Sequence, residues 1–305
     1  MDVKPKERKT PARSLPACWG LIAACVVVAG WSVLTNADTI TAERAIDGRT
    51  AFVSTDTETR QREGSLYIKA DAVLPRYHQP NGALIVDVRS QTAFKNIRIP
   101  GAVNMPAYAL VSGSFLKSRA LVLTNRGYDC APLERACRAL LKSGRKEVSI
   151  LYGGLQAWCS NGGPLHGDHF ARERIDRIGA RDFFLDSRYD DVIVLDAAKD
   201  RDSHVSGLMP KTLSLPYGEN SHEAFKNGLS GIRSERGGSF TTLLVFNSDG
   251  RYPAEMSQIV NDAGFDAVFF LEGGGPQLHE YLKFEARLKG PHSEKRSTSD
   301  CATCP

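Results

Sequence analysis

The residues best suited to chemistry in this chain are its cysteines and two asparagines that close matching apolar runs. Cys130 lies in the loop Arg126-Gly127-Tyr128-Asp129-Cys130-Ala131-Pro132, directly before a helix-forming segment. A thiol beside a helix N-terminus meets the positive end of the helix dipole, which favours thiolate and nucleophilic attack. Three readings of Cys130 stay open: a displaced nucleophile, an ordinary loop cysteine, or a disulfide partner. Cys301-Ala302-Thr303-Cys304 stands at the other end of the chain. Such a pair can cycle between dithiol and disulfide on a mobile arm. It supplies two ligands where a structural zinc needs four, so neither a metal site nor a cofactor is expected. Asn125 and Asn247 end the runs Leu121-Val122-Leu123-Thr124 and Leu243-Leu244-Val245-Phe246. The loops that follow carry Arg126 and Gly127, then Gly250 and Arg251, and can offer N–H groups and a guanidinium to an anion.

The elements that must position these residues recur twice. Each asparagine is followed by a helical segment, Leu133 to Ser143 or Pro253 to Ala263, then by Gly144 or Gly264. Each segment then reaches a strand that ends in Gly-Gly, at Gly153-Gly154 or Gly273-Gly274. Leu133, Ala136, Cys137, Leu140 and Leu141 fall at the i, i+3, i+4, i+7, i+8 spacing of an amphipathic helix, so Cys137 is expected in the core. Cys159 is expected to be partly buried at a domain edge. Ala83 to Asp87 and Val192 to Asp196 are apolar runs of strand length. Alternating strands and helices predict a parallel α/β sheet. Asp87 and Asp196 lie 109 residues apart, Asn125 and Asn247 122, and Gly153 and Gly273 120. This near-constant offset indicates duplication, with an insertion in the second copy within Gly218 to Phe240, expected to be loop-like.

Charge and hydropathy organise the rest. The net charge is +4, and residues 1–13 hold five of the basic residues against two acidic ones. The remaining 34 basic and 33 acidic residues nearly cancel, which gives no electrostatic case for nucleic-acid binding. Residues 15–34 are free of charge, and twenty residues at about 1.5 Å each span a bilayer core of roughly 30 Å. Basic residues before this run predict a single-pass anchor with a cytoplasmic N-terminus and extracytoplasmic domains, periplasmic in a bacterium. A signal peptide cleaved near Ala37, giving a secreted protein, is the alternative. The expected organisation is an anchor at 1–37, a polar linker at 38–64, α/β domains at 65–168 and 169–290, and a disordered tail at 291–305.

The motifs resemble those of the rhodanese (sulfurtransferase) family. Asp87-Val88-Arg89 looks like the family's Asp-x-Arg, and Arg98-Ile99-Pro100-Gly101-Ala102 like its His-Ile-Pro-Gly-Ala. Leu151-Tyr152-Gly153-Gly154-Leu155-Gln156-Ala157-Trp158 looks like its Leu-x-Gly-Gly-x-x-Ala-Trp. The second copy is degenerate: Asp196-Ala197-Ala198 lacks the arginine, and no Ala-Trp follows Gly273-Gly274. The resemblance implies two rhodanese-like, doubly wound parallel-sheet domains, with Asp87, Arg89, Gly153, Gly154 and Trp158 as structural motif residues. It also places the family's nucleophilic cysteine at the positions of Asn125 and Asn247. Asparagine cannot form a persulfide. The expectation is therefore a pseudoenzyme that binds or scaffolds an extracytoplasmic protein partner or sulfur carrier. The alternative is a sulfur or thiol-redox carrier using Cys130, the Cys301/Cys304 pair, or both.

Overall fold

The computed structural model describes residues 45–46, 49–50, 60–110, 119–199, 205, 209, 211–218 and 221–288. The expected anchor at 15–34 and the tail with Cys301 and Cys304 lie outside the described residues. Among the described residues no helix is long and apolar enough to cross a membrane.

β1 (Ala45–Ile46) and β2 (Arg49–Thr50) form a short antiparallel ladder. The first main sheet is parallel throughout. Its order is β3 (Tyr67–Ile68), β8 (Val148–Leu151), β7 (Leu121–Thr124), β4 (Leu84–Asp87) and β6 (Val103–Asn104). β5 (Ile97–Arg98) and β9 (His166–Gly167) pair antiparallel beside it. The second main sheet, also parallel, runs β10 (Arg177–Ile178), β14 (Ala267–Leu271), β13 (Thr242–Phe246), β11 (Val192–Asp196) and β12 (Thr212–Ser214). Counted along each half, both sheets have the order first, fifth, fourth, second, third. The central strands are continuous apolar runs because parallel strands are covered on both faces; every residue of β7, β13 and β14 is buried.

The helices are α1 (Ala70–Val73), α2 (Gln91–Asn96), α3 (Ala131–Lys142), α4 (Gly154–Ser160), α5 (His169–Glu173), α6 (Ala180–Asp186), α7 (His222–Arg236), α8 (Ala254–Asp262) and α9 (Gly274–Leu288). One face of the first sheet packs on α1 and α4 around Ile85, Val122, Leu155 and Trp158. One face of the second packs on α7 and α8 around Phe225, Leu229, Met256 and Val260. The remaining faces share a single core, in which Leu133, Cys137 and Leu140 of α3 join Phe183 of α6 and Leu278 and Leu282 of α9. The two halves are therefore joined by buried apolar surface, with Cys137 inside it as expected.

Two expectations need correction. The insertion within Gly218 to Phe240 is the helix α7, because Phe225, Leu229 and Ile232 at i, i+4, i+7 pack on the second sheet despite the intervening glycines. Residues 60–64, assigned to a linker, belong to the folded body. Arg60 N–H donates to the Arg188 carbonyl (2.8 Å), Asp190 N–H donates to the Arg60 carbonyl (3.0 Å), and the Arg62 side chain is 3% exposed.

Candidate functional site: two asparagine-closed loops and a buried junction

Each sheet delivers its asparagine in the same way. The backbone carbonyl of Asn125 accepts from Leu155 N–H (3.0 Å), and that of Asn247 from Gly275 N–H (2.7 Å). These donors lie just past the Gly-Gly pairs, whose φ values are +64° and +52° for Gly153 and Gly154 and +70° and +61° for Gly273 and Gly274. A side chain is disfavoured there by backbone conformation and by space. A Cβ on Gly154 would lie 2.5 Å from the Asn125 carbonyl oxygen and from Gly127 N, and one on Gly274 2.4 Å from Gly250 N. The Gly-Gly turn thus seats the start of α4 or α9 against the loop after the strand.

Both asparagine side chains turn back into their own loops. Gly127 N–H donates to Asn125 Oδ1 (2.8 Å), and Asn125 Nδ2 donates to the carbonyls of Tyr128 (2.6 Å) and Asp129 (3.4 Å). Gly250 N–H donates to Asn247 Oδ1 (2.7 Å), and Asn247 Nδ2 donates to the Arg251 carbonyl (2.6 Å). An amide does this because it accepts at one end and donates at the other. The first clasp is buried, with Asn125 8% exposed, while Asn247 is half-buried. In the second loop Asp249 also caps Arg251 N–H (2.9 Å), and the Tyr252 hydroxyl donates to the Leu271 carbonyl (2.8 Å).

The first loop faces the second half. Tyr128 meets Phe269 edge to face at 5.4 Å, and Asp129 N–H donates to Asp186 Oδ1 (3.1 Å). Cys130 follows at 2% exposure, with Arg62 Nη1 3.9 Å from its sulfur. Burial pushes its thiol up to about 12, against the opposing pull of Arg62. The helix N-terminus therefore does not deliver an activated thiolate in this arrangement; the cost of burying the charge wins. Cys130, Cys137 and Cys159 are free thiols, and Cys159 is partly exposed, as expected.

Arg62, Asp186 and Asp191 form a junction that sequence reasoning missed. Arg62 Nη2 lies 3.3 Å from Asp186 Oδ2 and Nε 3.3 Å from Asp191 Oδ1. The second pair is close enough to attract as charges but is not aligned as a hydrogen bond. The guanidinium also sits over the Tyr189 ring at 4.4 Å and the Tyr152 ring at 5.6 Å. Tyr152 ties the halves further, donating from its hydroxyl to Asp191 (2.7 Å) and meeting the Thr242 hydroxyl at 2.8 Å. Burial raises Asp186 to about 6, opposed by Arg62.

The motif residues are structural. Arg89 grips Asp87 through Nε (3.0 and 3.1 Å) and Nη2 (2.6 Å) and donates to the Ile97 carbonyl (2.6 Å). Trp158 is buried and donates to the Pro164 carbonyl (3.0 Å). Arg126 reaches the Arg174 carbonyl, and the two side chains, with Arg89, Ile97, Ile175 and Glu272, line a cavity of about 260 Å³ beside the first loop. Glu272 pairs with Arg174 (2.8 Å). Arg126 is thus brought to the pocket, whereas Gly127 is buried with its N–H on Asn125 Oδ1, and Gly250 and Arg251 are on the other loop. Among the described residues no group of three His, Cys, Asp or Glu side chains is placed to hold a metal ion.

Two parallel sheets, each with a Gly-Gly-seated loop at one strand end, make this a mixed α/β protein. Residues 70–161 match the rhodanese-like domain. A rhodanese-like domain from an Anabaena sp. protein is 32% identical over 35% of this chain and 83% of its own, with a TM-score of 0.31. A shorter structure of a domain from the same source is 35% identical over 28% and 99%, with a TM-score of 0.26. A thiosulfate sulfurtransferase from Pseudomonas aeruginosa is 19% identical over 69% of this chain and 41% of its own, with a TM-score of 0.27. No curated protein matches this chain.

Proposed function

We propose that this is a tandem rhodanese-like protein whose two nucleophile positions have become structural clasps, and that it works as a non-catalytic binding module. The observation that carries the reading is the paired geometry of Asn125 and Asn247. At the position where the family holds its cysteine, each amide consumes the loop N–H and carbonyl groups that would otherwise face a ligand. The shared strand order of the two sheets and the matched Gly-Gly turns support a duplicated domain.

The binding role falls to the pocket lined by Arg89, Arg126 and Arg174. Two of these guanidiniums are matched by Asp87 and Glu272, which leaves Arg126 to receive an anionic group of a protein partner or sulfur carrier. Residues 15–34 tether the module to a membrane with its domains on the extracytoplasmic side, in a sulfur or thiol-redox setting.

The test is the intact mass of the full-length chain before and after incubation with thiosulfate or polysulfide. No reducible gain of sulfur is expected on any cysteine. A gain of one sulfur that Cys130→Ser abolishes would overturn the non-catalytic reading. A gain confined to Cys301 or Cys304 would do the same and make the tail the carrier.

A further inference from the structure

Residues 60–64 cross from one half to the other before the chain enters the first sheet at β3. Arg60 is held to the second half by its two backbone hydrogen bonds to residues 188 and 190. Two residues later Arg62 enters the junction, and Leu66 and Tyr67, at the entry to β3 of the first sheet, pack in the shared core. This segment is not a strand of either main sheet, so its departure would leave both ladders intact.

The junction makes its position matter. Asp186 faces the segment with one oxygen and the first loop with the other: Oδ2 pairs with Arg62 and Oδ1 accepts from Asp129 N–H. Arg62 also covers the Cys130 sulfur. One side chain therefore holds together the incoming segment, the loop after Asn125 and helix α6. A cavity of about 270 Å³ lies against the segment, lined by Gln61, Arg62 and Gly64 on one side and Tyr152, Asp191 and Phe240 on the other. The segment is thus not packed tightly on that flank. Buried ion pairs are a poor source of net stability, since apolar replacements often serve as well, and the best-attested reasons to retain them are specificity and switching.

We propose that residues 60–64 form a removable strap: in place, Arg62 locks the two halves over the first loop and buries Cys130; withdrawn, it opens that junction and exposes the thiol. The strap lies where the N-terminal part of the chain enters the body, so binding or tension upstream acts first on the two Arg60 backbone bonds and then on Arg62. This goes beyond the binding reading above, because it assigns the otherwise inert Cys130 a second, open state.

The experiment is native-state labelling of the full-length chain with N-ethylmaleimide, with labelled cysteines located by peptide mass. Cys137 is buried in the shared core and serves as the clock for global unfolding. Arg62→Ala should raise the Cys130 labelling rate at least tenfold and leave Cys137 unchanged. An unchanged Cys130 rate would overturn the proposal. So would a parallel rise at both cysteines, which would make Arg62 a structural residue only. If Arg62→Ala does not fold, Arg62→Lys keeps the charge but loses the planar fork. It should speed Cys130 labelling about threefold with Cys137 unchanged, and the same two outcomes overturn the idea.

Discussion

Replacing each clasp asparagine by alanine should have unequal costs, because the two clasps differ in burial and not in pattern. Asn125→Ala removes the acceptor for Gly127 N–H and the donor to the Tyr128 and Asp129 carbonyls. Two well-formed hydrogen bonds are worth about 1 kcal/mol each, and an N–H stranded in a buried loop costs a further 1–3 kcal/mol or so. Gly127 is buried against Gly153 and Phe269, so water cannot readily replace the lost partner, and a loss of about 3 kcal/mol is expected. Asn247→Ala removes the same pair of bonds, but its loop is half open to solvent, and about 1 kcal/mol is expected. At roughly 2–4 °C per kcal/mol for a body of this size, the melting temperature should fall by about 6–12 °C in the first variant and about 2–4 °C in the second. Denaturant unfolding of the full-length chain measures the costs, and amide exchange at Gly127 checks that the first loop is where protection is lost. Asn125→Cys should cost nearly as much as alanine, since a thiol is a weak donor and a weak acceptor. Equal costs at the two sites, or a cost below about 0.5 kcal/mol at Asn125, would refute the assignment of these side chains as clasps.

Two further perturbations probe the loop seat and the junction. Gly154→Ala and Gly274→Ala should each cost about 2 kcal/mol or more, because a positive φ and a backbone clash act together. Gly144→Ala, where φ is +91° but the space is open, should cost about 1 kcal/mol; equal losses at all three would show that the approach to the loop is unimportant. Asp186 titrates near 6 in the folded chain, against about 3.9 when unfolded. The folded carboxyl holds its proton more tightly, so its contribution to stability falls as pH rises from about 4 to 6 and is flat above that. Asp186→Asn should remove that slope, changing the wild-type-to-variant difference by on the order of 2–3 kcal/mol across the window; a constant difference in unfolding free energy would contradict it.

Much of the first domain is local in the sequence. An amphipathic period marks α3, and apolar runs of strand length mark β4, β7, β11, β13 and β14. α7 also carries an apolar period, in Phe225, Leu229 and Ile232, but Gly228 and Gly231 within it mask the helix. Helix propensity there is outvoted by the burial of Phe225 and Leu229.

The sequence by itself determined where the two Gly-Gly turns fall and that an asparagine closes each preceding strand. Those features depend on residues close along the chain and on backbone conformations that few residue types adopt. Only the tertiary structure decided that Arg62 is buried, that Asp186 and Asp191 are its partners, and that Cys130 is covered and kept protonated. Arg62 and Asp186 are 124 positions apart, and Arg62 and Cys130 are 68 apart. In a polar stretch an arginine that will be buried looks the same as one that will be solvated. Its environment is set by which halves pack together, and that packing follows from the shared apolar face of α3, α6 and α9.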